Sequence, residues 1–201
     1  MSRTRTRWII GCACALSLGA CHSAPTRIHT LDSVAPAAPV APAAPVGTYQ
    51  APALRVDSLS VPASWDRIEI LSVSAAGTLQ ISDFDHWSAP LPQIARQALS
   101  ADLDQRLPSG SVIYPRLQKP DGAFGINVDI LEFNVGSSQA SMRASWVISP
   151  AAELQTAKRS VALLHASLTS TEPAAVARAW SELIGQLADR IAADLATVRM
   201  P

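Results

Sequence analysis

Apolar residues along this chain change their period several times, and the changes divide it into elements. Leu54 to Val61 and Arg67 to Ser74 carry Leu, Val and Ile in short runs separated by Pro62-Ala63-Ser64-Trp65, which predicts two strands. Gly77 marks a turn into a third short strand at Thr78–Ile81. The period then lengthens. Leu91, Ile94, Ala95, Ala98, Leu99, Leu103 and Leu107 fall at helical spacing, with Arg96, Gln97, Asp102 and Arg106 mostly off that stripe. Ser88 stands where a cap is expected, Pro90 and Pro92 suit a first turn, and Pro108-Ser109-Gly110 ends the helix.

A second region of strands follows. Ser111 to Pro115 reads as a short strand, and Lys119-Pro120-Asp121-Gly122 as a turn in which glycine supplies positive φ. Phe124, Ile126, Val128 and Ile130 alternate with small and polar residues. Beyond the Asn134–Ser138 turn, Ala140, Met142, Ala144, Trp146 and Ile148 do the same, and a further strand covers about Thr156 to Leu168. Alternation with short connections predicts an antiparallel meander with one buried and one polar face. On a regular strand, Asp129 and Glu132 would leave by opposite faces. Ser170-Thr171-Glu172-Pro173 opens a last helix whose apolar stripe is Val176, Trp180, Leu183, Ile184, Leu187, Ile191 and Leu195. The expected fold is α+β: a mainly antiparallel sheet with two helices on one face, in the order ββ(β)αββββα.

The first fifty residues follow none of these periods. Arg3, Arg5 and Arg7 precede an apolar run from Trp8 to Ala20 that is too short for a membrane span of about 20 residues. The run closes on Leu18-Gly19-Ala20-Cys21, the pattern of a lipoprotein signal. Small residues let a peptidase reach the bond, and the Cys21 thiol takes the lipid. Residues 1–20 are therefore expected to be a signal peptide recognised through Leu18, Gly19 and Ala20, with Cys21 the lipidated first residue of the mature chain. Residues 21–53 include Pro36, Pro39, Pro42 and Pro45 within nearly pure Ala/Pro sequence and read as a semi-rigid tether. Fully extended at ~3.1 Å per residue, about 30 such residues would reach about 90 Å. Residues 54–201 are then a single α+β domain.

Composition narrows the function classes. The chain carries 16 basic and 16 acidic residues; three of the arginines precede Cys21, so the mature chain would be slightly acidic. That is no footprint for nucleic acid. The three cysteines are Cys12, Cys14 and Cys21, so residues 22–201 hold neither thiol nor disulfide. No G-x-S-x-G elbow, Walker loop, H-E-x-x-H or C-x-x-C motif occurs there. Asp83, Asp85 and His86 read as a solvated turn ahead of the helix, with an acid–base or metal cluster as the alternative. Trp146 and Trp180 fall at core spacing. Trp65 and Trp87 lie in connections, which makes them, with Asp85 and His86, the candidate partner-binding residues. No catalytic or metal site and no cofactor beyond the lipid on Cys21 is expected, and so no enzyme.

Three short stretches carry a resemblance. Pro62-Ala63-Ser64-Trp65-Asp66-Arg67-Ile68-Glu69-Ile70, His86-Trp87-Ser88-Ala89-Pro90-Leu91 and Met142-Arg143-Ala144-Ser145-Trp146, in that order behind a lipobox, resemble the ABC-type transport auxiliary lipoproteins of the PqiC-like group. The resemblance implies an accessory subunit of an MCE-type intermembrane lipid transport system, held on the periplasmic face of the outer membrane. It implies an MCE-domain protein and an inner-membrane permease as partners, a ring-like homo-oligomer, and a contribution to envelope integrity. His22, rather than Asp, after the lipidated Cys agrees with outer-membrane sorting. The alternative is a structural or assembly lipoprotein aiding protein insertion or binding peptidoglycan.

Overall fold

A computed structural model of the chain describes residues 25–37, 53–74, 78–149 and 157–197. The Leu18–Cys21 motif and most of the Ala/Pro tract lie outside the described residues. The elements in chain order are β1 (Arg27–His29), β2 (Leu54–Ser60), β3 (Glu69–Val73), β4 (Leu79–Trp87), α1 (Leu91–Arg106), β5 (Val112–Ile113), β6 (Phe124–Val135), β7 (Gln139–Ser149), β8 (Lys158–Ser167) and α2 (Pro173–Leu195). The α+β class and the order of elements from Leu54 onward match the periodicity.

The sheets do not. The strands form a three-stranded sheet ordered β1-β4-β3 and a five-stranded one ordered β5-β2-β6-β7-β8. β6–β7, β7–β8 and β3–β4 are antiparallel, but β2 runs parallel to both β5 and β6, and β1 parallel to β4. To mainly antiparallel ladders the fold therefore adds a parallel component. Its physical source is the route from β2 through the small sheet and α1 before the chain returns beside β2, a long crossover that parallel pairing requires.

The five-stranded sheet turns one face to the helices. Ile126, Val128 and Ile130 of β6, Met142, Ala144 and Trp146 of β7, and Leu164 and Ala166 of β8 are buried there against α1 and α2. Burying one such Leu, Ile or Val side chain contributes about 1.5–3 kcal/mol. α1 lies over β2 and β5; α2 packs on α1, on β7 and β8, and on β3 of the small sheet. Neither helix has a side-chain cap. Pro90 and Glu172 hold the cap positions, and each helix has proline in its first turn, where the missing N–H costs nothing. Gly122 in the turn before β6 has φ +81°, as its role there requires.

A bulge changes one expectation. The β6–β7 register shifts between Ile130 and Glu132, so Leu131 is an extra residue. Asp129 lies opposite Ser145 and Glu132 opposite Arg143, two residues apart on β7 and so on one face. Both carboxylates are thus on the solvent face rather than on opposite ones. They still do not pair: Asp129 accepts from Ser60 Oγ at 2.6 Å, and Glu132 faces Arg143 at 3.3 Å.

Candidate functional site

The N-terminal segment, expected to be free tether, is built into the fold. β1 pairs with β4 through Arg27↔Asp85, Ile28↔His86 and His29↔Trp87. Asp85, only 2 % exposed, is the anchor of that pairing. Its carboxylate accepts from Arg27 Nε at 2.8 Å and Nη2 at 2.6 Å, from His29 Nε2 at 2.8 Å and from Ser82 Oγ at 2.6 Å. The Arg27 guanidinium, ahead of the opposing effect of burial, holds the Asp85 carboxyl well below the usual carboxylate range. The His29 carbonyl accepts from the Ser88 amide at 2.7 Å.

Residues 31–35 then run across the helices as a strap. Leu31 is buried in the core. The Asp32 amide donates to Ser181 Oγ at 3.1 Å on α2. Asp102 of α1, fully buried, accepts from Ser33 Oγ at 2.6 Å and from the Val34 amide at 2.7 Å. Arg106 donates to the Val34 carbonyl at 2.9 Å and to Asp189 of α2 at 2.6 Å, so one guanidinium ties the strap to both helices. Burial pushes the Asp102 carboxyl up against the pull of these donors, and its Oδ2 has no hydrogen-bond partner among the described residues. A Cβ on Gly185 would stand 2.8 Å from Val34 Cβ, so glycine there opens the space the strap occupies. The folded unit thus begins near Arg27 rather than Leu54. Of the expected tether 21–53, residues 25–37 and 53 belong to the described fold, and residues 21–24 and 38–52 lie outside the described residues.

The four candidate partner-binding residues fare differently from expectation. Trp65 is core: its ring lies edge-on to Phe133 at 4.7 Å and to Trp180 at 6.0 Å, and its Nε1 donates to the Phe133 carbonyl at 3.1 Å. Trp87 is also buried, and Asp85 is the β1 anchor on a strand rather than part of a solvated turn. The connections that carry these residues fold under the sheets, because each indole brings more apolar area than a surface loop would leave wet. His86 is half-buried, between Ile28 and Glu69 in register. Asp83 and His86 do not close on Asp85 as an acid–base or metal set; Asp85 is satisfied by Arg27, His29 and Ser82. Among the described residues no group of three His, Cys, Asp or Glu could hold a metal ion, and no helix is long and apolar enough to cross a membrane. Cys21, Leu18, Gly19 and Ala20 lie outside the described residues.

Two surfaces escaped the sequence reading. The first is the outer face of the five-stranded sheet at its β8 edge. Val161 and Leu163 are 61 % and 59 % exposed there, opposite Ser145 and Arg143, with Leu131 of the bulge also exposed. The signal was present: Ser160-Val161-Ala162-Leu163-Leu164 is apolar on both phases of a strand, where a one-sided sheet needs only one. Among the described residues β8 has no outer neighbour, so its backbone edge is open beside these side chains. Further across the same face, Asp57 bridges Arg55 at 2.7 Å and Lys119 at 2.8 Å. Burial pushes the Asp57 carboxyl up, and the Lys119 and Arg55 hydrogen bonds outweigh it and hold it below its usual range. The second surface is an open groove of about 1130 Å³ between α1, β2 and residues 30–33, lined by Asp32, Leu59, Pro92, Arg96 and Tyr114 among others. Arg96 spends one donor on the Asp57 carbonyl at 3.1 Å.

A family model described as "ABC-type transport auxiliary lipoprotein component" matches residues 29–192. It starts at the last residue of β1, just ahead of the strap. No curated protein matches the chain. Among solved structures, a Xanthomonas campestris protein of the DUF330 family is 16 % identical, with a TM-score of 0.63 over 85 % of this chain and 96 % of that one. The crystal structure of an uncharacterized protein, also 16 % identical, has a TM-score of 0.59 over 73 % of this chain and 96 % of its own. At such identity these likenesses establish the fold.

Proposed function

Because the chain belongs to the family of ABC-type transport auxiliary lipoprotein components, we propose that it is a non-enzymatic accessory subunit of an MCE-type lipid transport system. In this reading Cys21 carries the lipid, and the domain sits on the periplasmic face of the outer membrane. An MCE-domain protein and an inner-membrane permease are its partners, and copies of the chain form a ring around the partner. The system moves lipid across the envelope and so contributes to its integrity. The observation that carries the reading is the open β8 edge with Val161 and Leu163 exposed beside it, a surface suited to docking a partner strand or apolar face.

The test is purification of the full-length chain from native membranes in mild detergent, followed by identification of what accompanies it. The reading expects an MCE-domain protein and a permease in stoichiometric amount. Recovery of outer-membrane insertion machinery or peptidoglycan fragments instead would replace it with a structural or assembly role.

A further inference from the structure

We propose that the outer face of the small sheet, centred on Ile28 and Phe84, rests on the surface of the bilayer that holds the lipid anchor. The inference deepens the anchoring reading and rests on Cys21 being the lipidated residue. Its basis is the place where the chain first becomes fixed. Arg27 is held by β pairing and by two hydrogen bonds to buried Asp85, and the strap behind it is tied to α1 and α2. Only His22, Ser23, Ala24, Pro25 and Thr26 separate Cys21 from Arg27. Six residue steps span at most about 20 Å, so the start of β1 lies within about 20 Å of the lipid-bearing residue. A stalk reaching 90 Å is excluded for this geometry, since the Ala/Pro tract lies after the strap and not before it.

What lies beside that fixed point is apolar and uncovered. Ile28 is 62 % exposed and Phe84 44 % exposed. Asp85 points into the fold, so His86, the next residue on β4 and the register partner of Ile28, points away from it. Ile28 and His86 therefore share the outward face, and Phe84, in the irregular stretch of β4 just before Asp85, is exposed close to His86 in sequence. Charge around them is mixed, with Arg67 paired to Glu69 at 3.1 Å, so no strong field opposes approach to a headgroup layer. A large aliphatic side chain and a phenyl ring, held within a few residues' reach of a diacylated cysteine, suit the boundary between headgroups and acyl chains. Placing Ile28 and Phe84 against the bilayer turns the β8 edge, in the other sheet, into the surface left for a protein partner.

The experiment uses the full-length lipidated chain in vesicles of phosphatidylethanolamine and phosphatidylglycerol. Ile28→Cys, Phe84→Cys and, as a control on the outer face of the larger sheet, Arg159→Cys are each labelled with an environment-sensitive fluorophore and exposed to brominated lipid. All three positions are exposed, so the substitutions leave the core intact. Labels at 28 and 84 should be quenched several-fold more than the label at 159. Inserting about 20 Gly/Ser residues after His22, with an r.m.s. reach of about 25 Å, should reduce the difference sharply. Vesicle flotation of the unlabelled chain separates the two claims. A chain that floats but shows equal quenching at the three positions overturns the membrane face and leaves the anchor standing. A blue shift at 28 and 84 without bromolipid quenching means a protein, such as a second copy, covers the face, and also overturns it. Failure to float overturns both.

Discussion

The three-ring cluster of Trp65, Phe133 and Trp180 offers a paired perturbation whose sign follows from hydrogen bonding alone. Trp180 is fully buried and stacked on Phe133 at 4.0 Å and 12°, and its Nε1 has no partner among the described residues. Trp65 meets both rings edge-on and donates its Nε1 to the Phe133 carbonyl at 3.1 Å. Trp180→Ala should cost about 3–5 kcal/mol through transfer and cavity terms. Phenylalanine is more informative, because at either site it removes similar ring volume. At Trp65 it also deletes a buried hydrogen bond, worth about 0.5–1.5 kcal/mol. At Trp180 it deletes an N–H whose unpaired burial costs about 1–3 kcal/mol, so that cost is recovered. Trp65→Phe should therefore be the more destabilising change by about 1.5–4.5 kcal/mol, the sum of the bond lost at one site and the cost recovered at the other. Urea unfolding followed by circular dichroism gives both values, with the slope checked for constancy. The double variant then measures the coupling expected of rings in contact. Trp180→Phe costing as much as Trp65→Phe, or more, would refute the reasoning and imply that the Trp180 N–H is satisfied in solution.

The strap and the anchor give three more predictions. Asp85→Ala strands Ser82 and His29 and should cost about 2 kcal/mol, with Arg27, mostly exposed, free to turn to water; protection of the Ile28 amide from hydrogen exchange should fall with it. Because the Asp85 carboxyl is lowered in the folded state, its contribution is present above the unfolded carboxylate pKa of about 3.9 and is lost as pH falls through the lower folded value. The natural chain should consequently lose more stability below about pH 4 than Asp85→Asn does, and parallel pH profiles would remove Asp85 as the anchor. Gly185→Ala should destabilise by about 1–3 kcal/mol through contact with the Val34 Cβ and be relieved by Val34→Gly, which removes that atom, more than by Val34→Ala, which keeps it; a neutral Gly185→Ala would mean that the strap stands off α2. Cys21→Ser should abolish lipid labelling and membrane retention, whereas persistent labelling would move the anchor elsewhere.

Element order was legible because periodicity reports which side chains share a face. Leu91 to Leu103 and Val176 to Leu195 are amphipathic at helical spacing, and their stripes are the buried faces observed. Glu132 was misplaced because a bulge adds a residue without changing composition, and the alternation rule carries no term for it. The parallel pairing of β2 was hidden for another reason: pairing partners are chosen by topology over long loops, not by either strand's own pattern. The strap was missed because Arg27 to Ala35 is only nine residues of mixed polarity beside a long Ala/Pro tract. Its binding signal lies in its partners, in Asp102 and Arg106 on the inner side of α1 and in Gly185 within α2. Charged residues toward a helix's packed face and a mid-helix glycine were the available hints. Trp65 lies in the β2–β3 connection and Trp87 ends β4, which runs on past the short strand that the sequence predicts, and both rings are buried in the core because each indole brings a large apolar area.

The proposed mode of action is docking, through the β8 edge, onto transport machinery. Site-specific photocrosslinking tests it most directly, with a photoreactive residue at Leu163 in the full-length chain in native membranes and the same residue at Gln97 on the exposed side of α1 as the control. An adduct with an MCE-domain protein or permease is expected from position 163, absent from 97 and lost in Val161→Glu. Adducts of equal strength from both positions, or a position 163 that captures only unrelated envelope proteins, would contradict it.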